Sequence, residues 1–237
     1  MAKDAVRGGS RGDVVVVIDV LRCTSAIVTA LANDATNVTA VESVSRARSL
    51  KSRNPDSILA GERGGLPPRG FELGNSPLDF SAKKVSGKGI IITTSSGTQA
   101  IQNASEARVV LLGSFLNLTA VAKKAWEAAD EKSCGLTVAM SGKLGSFSLE
   151  DFLCSGAIAN LWENESAAFS DSAYASLLAY RSARSDLFEN VLKGNHAQEL
   201  VRIGFNRDVA FCCERDRYDT VPILKEGKIV RLETIGK

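Results

Sequence analysis

The stretch VVVVIDVLRCTSAIVTAL, residues 14–31, decides how the chain is read. Residues 14–18 form an unbroken apolar run, the pattern of a strand covered on both faces. Asp19 ends the run. Arg22, Thr24 and Ser25 then make a polar elbow, and apolar positions resume at helical spacing. A helix over about 25–33 follows, with Thr24 or Ser25 as its expected N-cap. Asp19 and Arg22 stand at the mouth of this strand–elbow–helix unit. Neither is cheaply buried without a partner, so the rest of the chain is expected to build a site around them.

The unit recurs. Residues 36–44 read as a second strand, 45–53 as a short helix and 57–60 as a third strand. Residues 89–104, GIIITTSSGTQAIQNA, repeat the opening plan: an apolar strand, a hydroxyl-rich elbow over 93–98, then a helix. A strand over 108–112 ends in GSFLN and leads to a helix over 118–129. A strand over 136–140 ends in SGKLGSFS and leads to a helix over 149–161. Residues 166–192 read as one or two helices, and the chain closes with a hairpin around Glu226, Gly227 and Lys228. Strands alternating with helices predict an α/β fold. It is a three-layer α/β/α arrangement whose mixed, mainly parallel sheet carries the C-terminal strands at an edge. The likeness of the first two units fits an internal duplication or the generic strand–turn–helix plan. Residues 1–13, rich in Gly and Arg, are expected to be loose.

Residues 61–77, GERGGLPPRGFELGNSP, hold five of the 20 glycines and three of the five prolines, too many for helix or central strand. They form either a linker, with a boundary near 61–88 between two intimately packed halves of one domain spanning 1–237, or a structured functional loop. Leu66, Phe71, Leu73 and Leu78 can anchor such a loop, which favours the second.

Composition narrows the chemistry. The 29 Lys and Arg nearly balance the 27 Asp and Glu, and no basic block occurs, so no nucleic-acid partner is expected. No apolar run approaches the ~20 residues of a membrane span, and residues 1–13 lack the apolar segment of a secretory signal. Five cysteines without CxxC spacing read as reduced, core-packing thiols in a cytoplasmic protein. The one histidine, His196, lies in a polar stretch and reads as a surface residue. Any metal must therefore be held by oxygen ligands, which favours Mg²⁺ or Mn²⁺.

Thr93, Thr94, Ser95, Ser96, Gly97 and Thr98 place five hydroxyls and a glycine at a helix N-terminus, more than capping needs, and suit an anion. Arg22 and Arg63 can add forked contacts to it, or sit in structural ion pairs. Ser148 and Asp151 fit a capping box. Glu150 is left over by that box. With Asp19, Glu62 and Asp151 it could surround a hard cation. P-loop, GxGxxG and GxSxG patterns are absent from the sequence.

VVVVIDVLRCTSAIVTAL, AGERGG, GFELGNSP, TTSSGT, GSFLN, SLEDFLCSGAIA and DVAFCCERDRYDTVP stand in the order found in the 2-phosphosulfolactate phosphatase family, which the chain resembles from Gly12 to Pro222. The resemblance implies a family-specific α/β topology. It also implies a Mg²⁺-dependent phosphomonoesterase that converts 2-phospho-3-sulfolactate to 3-sulfolactate in the coenzyme M pathway. On this reading Asp19, Arg22 and Glu62 are catalytic, and Asp19, Glu150 and Asp151 bind the metal. Arg63, Asn75, Ser76, the 93–98 elbow, Ser114 and Asn117 hold a small anionic phosphoester. A phosphatase for another phosphorylated hydroxy acid and a non-catalytic anion-binding protein are the alternatives. The family commonly has Ala-Thr-Thr where this chain has Cys23-Thr24-Ser25, and Asn where it has Ser96. A homodimer is the expectation from the base rate for soluble enzymes.

Overall fold

A computed structural model describes residues 2–165 and 167–232. The chain opens with α1 (Ala2–Arg11), β1 (Val14–Ile18), α2 (Cys23–Ala32), β2 (Asn37–Ala40), α3 (Val44–Arg53) and β3 (Ile58–Gly61). After a long loop come α4 (Ala82–Val85), β4 (Gly89–Thr93), α5 (Gly97–Asn103), β5 (Val109–Gly113), α6 (Leu118–Lys132) and β6 (Leu136–Met140). The remainder is α7 (Leu149–Trp162), α8 (Asp171–Ala183), α9 (Leu187–Leu192), α10 (Asn195–Arg202), α11 (Asn206–Cys212), β7 (Pro222–Lys225) and β8 (Lys228–Arg231). Ser166, where the helical stretch was expected to begin, lies outside the described residues.

The strands form one eight-stranded sheet in the order β3-β4-β2-β8-β7-β5-β1-β6. Four of the seven pairings among the described residues are parallel. Helices cover both faces, giving the three-layer α/β/α arrangement. Side-chain alternation in β1 shows why its run is wholly apolar. Val14, Val16 and Ile18 enter the core beneath α6 and α7, while Val15 and Val17 enter the one beneath α2 and α5.

Two expectations are corrected. The C-terminal hairpin is not at an edge: β8 pairs with β2 and β7 with β5, so it lies at the centre of the sheet. Residues 2–11 are helical rather than loose. A Cβ at Gly8 would meet Thr137 and Val15 at 2.9 Å, so Gly8 lets α1 press directly onto the sheet.

The hairpin's position organises the rest. It separates two parallel trios, β3-β4-β2 and β5-β1-β6, which run in opposite directions because each inserted strand is antiparallel to its neighbours. The trios share one topology, with β1, β2 and β3 placed as β4, β5 and β6. A pseudo-twofold axis therefore passes between β7 and β8. Right-handed twist lifts diagonally opposite corners of a sheet toward the same side. The carboxyl ends of β1 and β4 lie at such corners, and they meet: a Cβ at Gly97, just past β4, would strike Asp19 Oδ2 and the Cys23 side chain just past β1.

The loop over 61–77 is not a free tether. It returns along β3, where Ala60 bridges Leu73 and the Glu72 carboxylate accepts from Leu59 N–H at 2.8 Å. Among the described residues no helix is long and apolar enough to cross a membrane.

Candidate active site

The two elbows are built alike. In the first, the Thr24 hydroxyl donates to the Asp19 carbonyl at 2.8 Å and accepts from Asp19 N–H at 3.0 Å. In the second, Thr98 does the same to Thr94, at 3.1 and 3.3 Å. Thr24 is thus a clasp within α2 rather than its N-cap. The cap position is Arg22, with no side-chain capping bond. The clasps fix the residue leaving each strand, Asp19 from β1 and Thr94 from β4.

Two buried carboxylates complete the symmetry. Glu62 accepts from Ser95 N–H at 2.6 Å and Gly65 N–H at 2.9 Å. Asp151 accepts from Val20 N–H at 2.9 Å and Gly142 N–H at 3.0 Å. Each ties the second elbow residue to the loop that follows the neighbouring strand. Both oxygens of each are engaged by backbone. Asp151 therefore does not complete the expected capping box, and the Ser148 hydroxyl, buried beside it, has no partner. Burial raises the Asp151 pKa well above its ordinary value, and the charges of Glu150 and Asp19 raise it further. Removing the Glu62 clamp by Glu62→Ala leaves two inward N–H groups unpaired. At ~1–3 kcal/mol for each unsatisfied group, a loss of about 2–6 kcal/mol is expected in urea unfolding.

The loops so tied are pseudo-equivalent tight turns. Arg63 bridges Leu66 across Gly64 and Gly65, with φ of +60° and +84°. Lys143 bridges Ser146 across Leu144 and Gly145, with φ of +49° and +82°. Positive φ at both central positions marks a type I′ turn. Between these jaws and the elbows lies a cavity of about 150 Å³, bordered by Asp19, Glu62, Thr94, Ser95, Ser96 and Lys143. Asn75 borders it as well, with its Oδ1 buried and unpartnered.

One wall has no pseudo-symmetric counterpart. The helix α10 brings His196, Glu199 and Leu200 to the cavity. His196 Nδ1 lies 2.8 Å from Glu150 Oε1, and the second Glu150 oxygen is buried without a partner. Contrary to the sequence reading, His196 is not a bystander on the surface. Its signal was present: it is the sole histidine, and Glu199 three residues on shares its helix face. Burial pushes the Asp19 carboxyl up to about 6, against the lowering effects of His196 and of the Cys23 N–H, which donates to Oδ1 at 3.2 Å.

Other expected residues lie apart. Arg22 borders the cavity, but its guanidinium is engaged. Nη1 pairs with Asp208 at 2.5 Å, Nη2 donates to Gly65 O at 2.7 Å, and the group stacks 4.0 Å over the Phe205 ring. Ser76 donates to the other Asp208 oxygen at 2.9 Å. Arg63 turns back to Glu62 O and the buried Thr93 hydroxyl, at 2.6 and 2.9 Å. Asn117 accepts from Ser114 N–H and donates to Thr220 O at 2.9 Å, pinning the approach to the hairpin. Gly97 and Thr98 shape the elbow from behind. Among the described residues no group of three or more His, Cys, Asp or Glu is set to hold a metal ion.

The sheet, the paired elbows and the carboxylate-bearing cavity define an α/β/α protein with a polar pocket of small-molecule size. The chain belongs to the 2-phosphosulpholactate phosphatase family, whose model matches residues 1–227. It is similar to proteins named probable 2-phosphosulfolactate phosphatase from several bacteria. That of Thermotoga petrophila is 39% identical over 218 residues, covering 92% of each chain. That of Caldanaerobacter subterraneus subsp. tengcongensis is 40% identical over 224 residues, covering 92% of this chain and 89% of the relative. That of Carboxydothermus hydrogenoformans is 40% identical over 220 residues, covering 91% and 89%.

Proposed function

We propose that this protein hydrolyses 2-phospho-3-sulfolactate to 3-sulfolactate and phosphate with the help of Mg²⁺. The observation that carries the reading is the meeting of Asp19 and His196 at one cavity, with His196 held from behind by the buried Glu150, in a chain of this family. Asp19 presents its carboxylate to the phosphoryl group, as nucleophile or as base toward water. Glu150 holds His196 Nδ1, leaving Nε2 to give a proton to the departing ester oxygen. The elbow hydroxyls of Thr94, Ser95 and Ser96 donate to the phosphoryl oxygens.

The donor set suits a hard cation. Asp19, at the cavity, would hold Mg²⁺ together with water and the ester itself, as Mg²⁺ sites commonly arrange, and the buried Glu150 behind His196 would add its negative charge. Asp151 is spent on backbone. The ion when bound draws negative charge from the phosphoryl oxygens. The five cysteines are free thiols, which supports a reducing, cytoplasmic setting.

The test is phosphate release from 2-phospho-3-sulfolactate with Mg²⁺, with EDTA, and after Mg²⁺ is restored. Release that falls to background in EDTA and returns with Mg²⁺ is expected. Equal rates in EDTA would remove the metal from the scheme. Release from other phosphorylated hydroxy acids but not this one would move the substrate. No release from any would favour a binding protein.

A further inference from the structure

Resting on that phosphatase reading, we infer that Lys143, at the tip of the second jaw, is the receptor for an oxyanion of the substrate other than its phosphate. Arg22, Lys143 and His196 border the cavity. Arg22 is locked between Asp208 and Gly65 O, and its side chain is only 2% exposed. His196 is held by Glu150. Arg63, the pseudo-equivalent of Lys143, is folded back on Glu62 O and Thr93.

Lys143 differs from all three. Its ammonium pairs with Glu199, the two side chains being 30% and 49% exposed. Ion pairs at that exposure are worth little, so Lys143 can change partner at small cost. Its turn is fixed by backbone bonds, whereas its ammonium is held through Glu199. Gly142 N–H is tied to Asp151, and Leu144 N–H donates to Ser96 at 3.0 Å. Opposite the cavity's cations stand Asp19, Glu62 and Glu199. An ester with several negative charges needs a mobile cation to enter there. Lys143 leaves Glu199 for the incoming oxyanion, and Glu199, exposed to water, needs no replacement partner. Leu200 and Ile203 are apolar neighbours on the same wall.

The oxyanion is the sulfonate or the carboxylate, and three esters separate them. They are 2-phospho-3-sulfolactate, 2-phospholactate without the sulfonate, and 2-phosphooxypropane-1-sulfonate without the carboxylate. A charge-assisted hydrogen bond of ~1.5–3 kcal/mol corresponds to about 10- to 100-fold in affinity. Lys143→Met is therefore expected to raise KM for the full ester by that factor while kcat changes little. The same penalty is expected on one truncated ester and is lost on the other, which identifies the group held. Lys143→Arg is expected to restore most of the affinity, and Glu199→Gln to lower KM or leave it unchanged. An unchanged KM in Lys143→Met, or one raised equally on all three esters, overturns the proposal. So does a common loss of thermal stability in Lys143→Met and Glu199→Gln without contrast among esters. If the wild-type protein releases phosphate from none, the phosphatase reading fails. Calorimetric titration of wild type and Lys143→Met with 3-sulfolactate and lactate then decides. Weaker binding to the variant supports the receptor, and equal or absent binding overturns it.

Discussion

Asp19→Asn is expected to cut phosphate release by orders of magnitude and, in the absence of metal, to stabilise the fold. The two effects share a cause. Asp19 leaves β1 into a buried position because the Thr24 clasp fixes its backbone and Gly97 packs against its side chain. Desolvation there disfavours the charged carboxylate, moving its pKa from 3.8 to about 6. For an acid whose pKa is raised on folding, the unfolded chain ionises first. Stability is full below 3.8 and falls as pH rises toward 6. Above that the ionised group costs about 3 kcal/mol, less whatever neighbouring groups recover. Asparagine carries no such cost and still offers an oxygen to Cys23 N–H. At pH 8 in EDTA the variant should unfold at higher urea than wild type, and at pH 4 the two should converge. Release should fall by about 10³-fold, the scale set by removing a positioned acid–base or nucleophilic group. A variant as active as wild type would take Asp19 out of the chemistry. One that is inactive and no more stable at pH 8 would show that its charge is balanced in the folded state.

The same residue shows what was legible in the sequence. An unbroken apolar run ending in Asp declares a buried strand with something to present, and each later strand–elbow–helix unit declares itself by the same grammar. The position of the hairpin is another matter. Lys225, Glu226, Lys228 and Arg231 give it the charge of an edge, yet Ile229 is fully buried and pairs with Val38 nearly two hundred residues away. Local pattern holds no record of such a contact. Residues 2–11 fail for a related reason: glycine weakens an isolated helix, and only the sheet beneath makes Gly8 an asset. In the site, Glu62 stands out as an acid at a strand end and Asp151 as one in the first turn of a helix. That both are backbone clamps follows from the pseudo-twofold, which pairwise spacing along the chain does not display. His196 is brought beside Glu150 by α10, an element outside both repeats. Asp208 shows only as one acid before the apolar run Val209-Ala210-Phe211.

Arg22→Met is expected to lower stability by about 3–5 kcal/mol, the usual cost of breaking a buried ion pair from one side. Arg22 and Asp208 lie 186 residues apart in sequence, and their side chains are 2% and 5% exposed. Removing the guanidinium leaves Asp208 with the Ser76 hydroxyl alone and leaves Gly65 O without its donor. It also uncouples the first elbow and the first jaw, which border the cavity, from α11 behind them. Arg22→Lys should fall between, since an ammonium reaches a carboxylate as a point charge but cannot fork to Gly65 O and lie flat on Phe205. Asp208→Asn attacks the pair from the other side and should cost a similar amount. The double variant Arg22→Met with Asp208→Leu replaces the pair by apolar groups and should recover much of the loss. Urea unfolding of the four variants measures the series, and phosphate release at 15 °C in the folded fraction measures what the pair does for the reaction. If Arg22 organises the site through Asp208, Arg22→Met and Asp208→Asn should lose activity together. If Arg22→Met costs under about 1 kcal/mol and loses substrate affinity that Asp208→Asn retains, the guanidinium faces the ester directly, and its engagement by Asp208 gives way on binding.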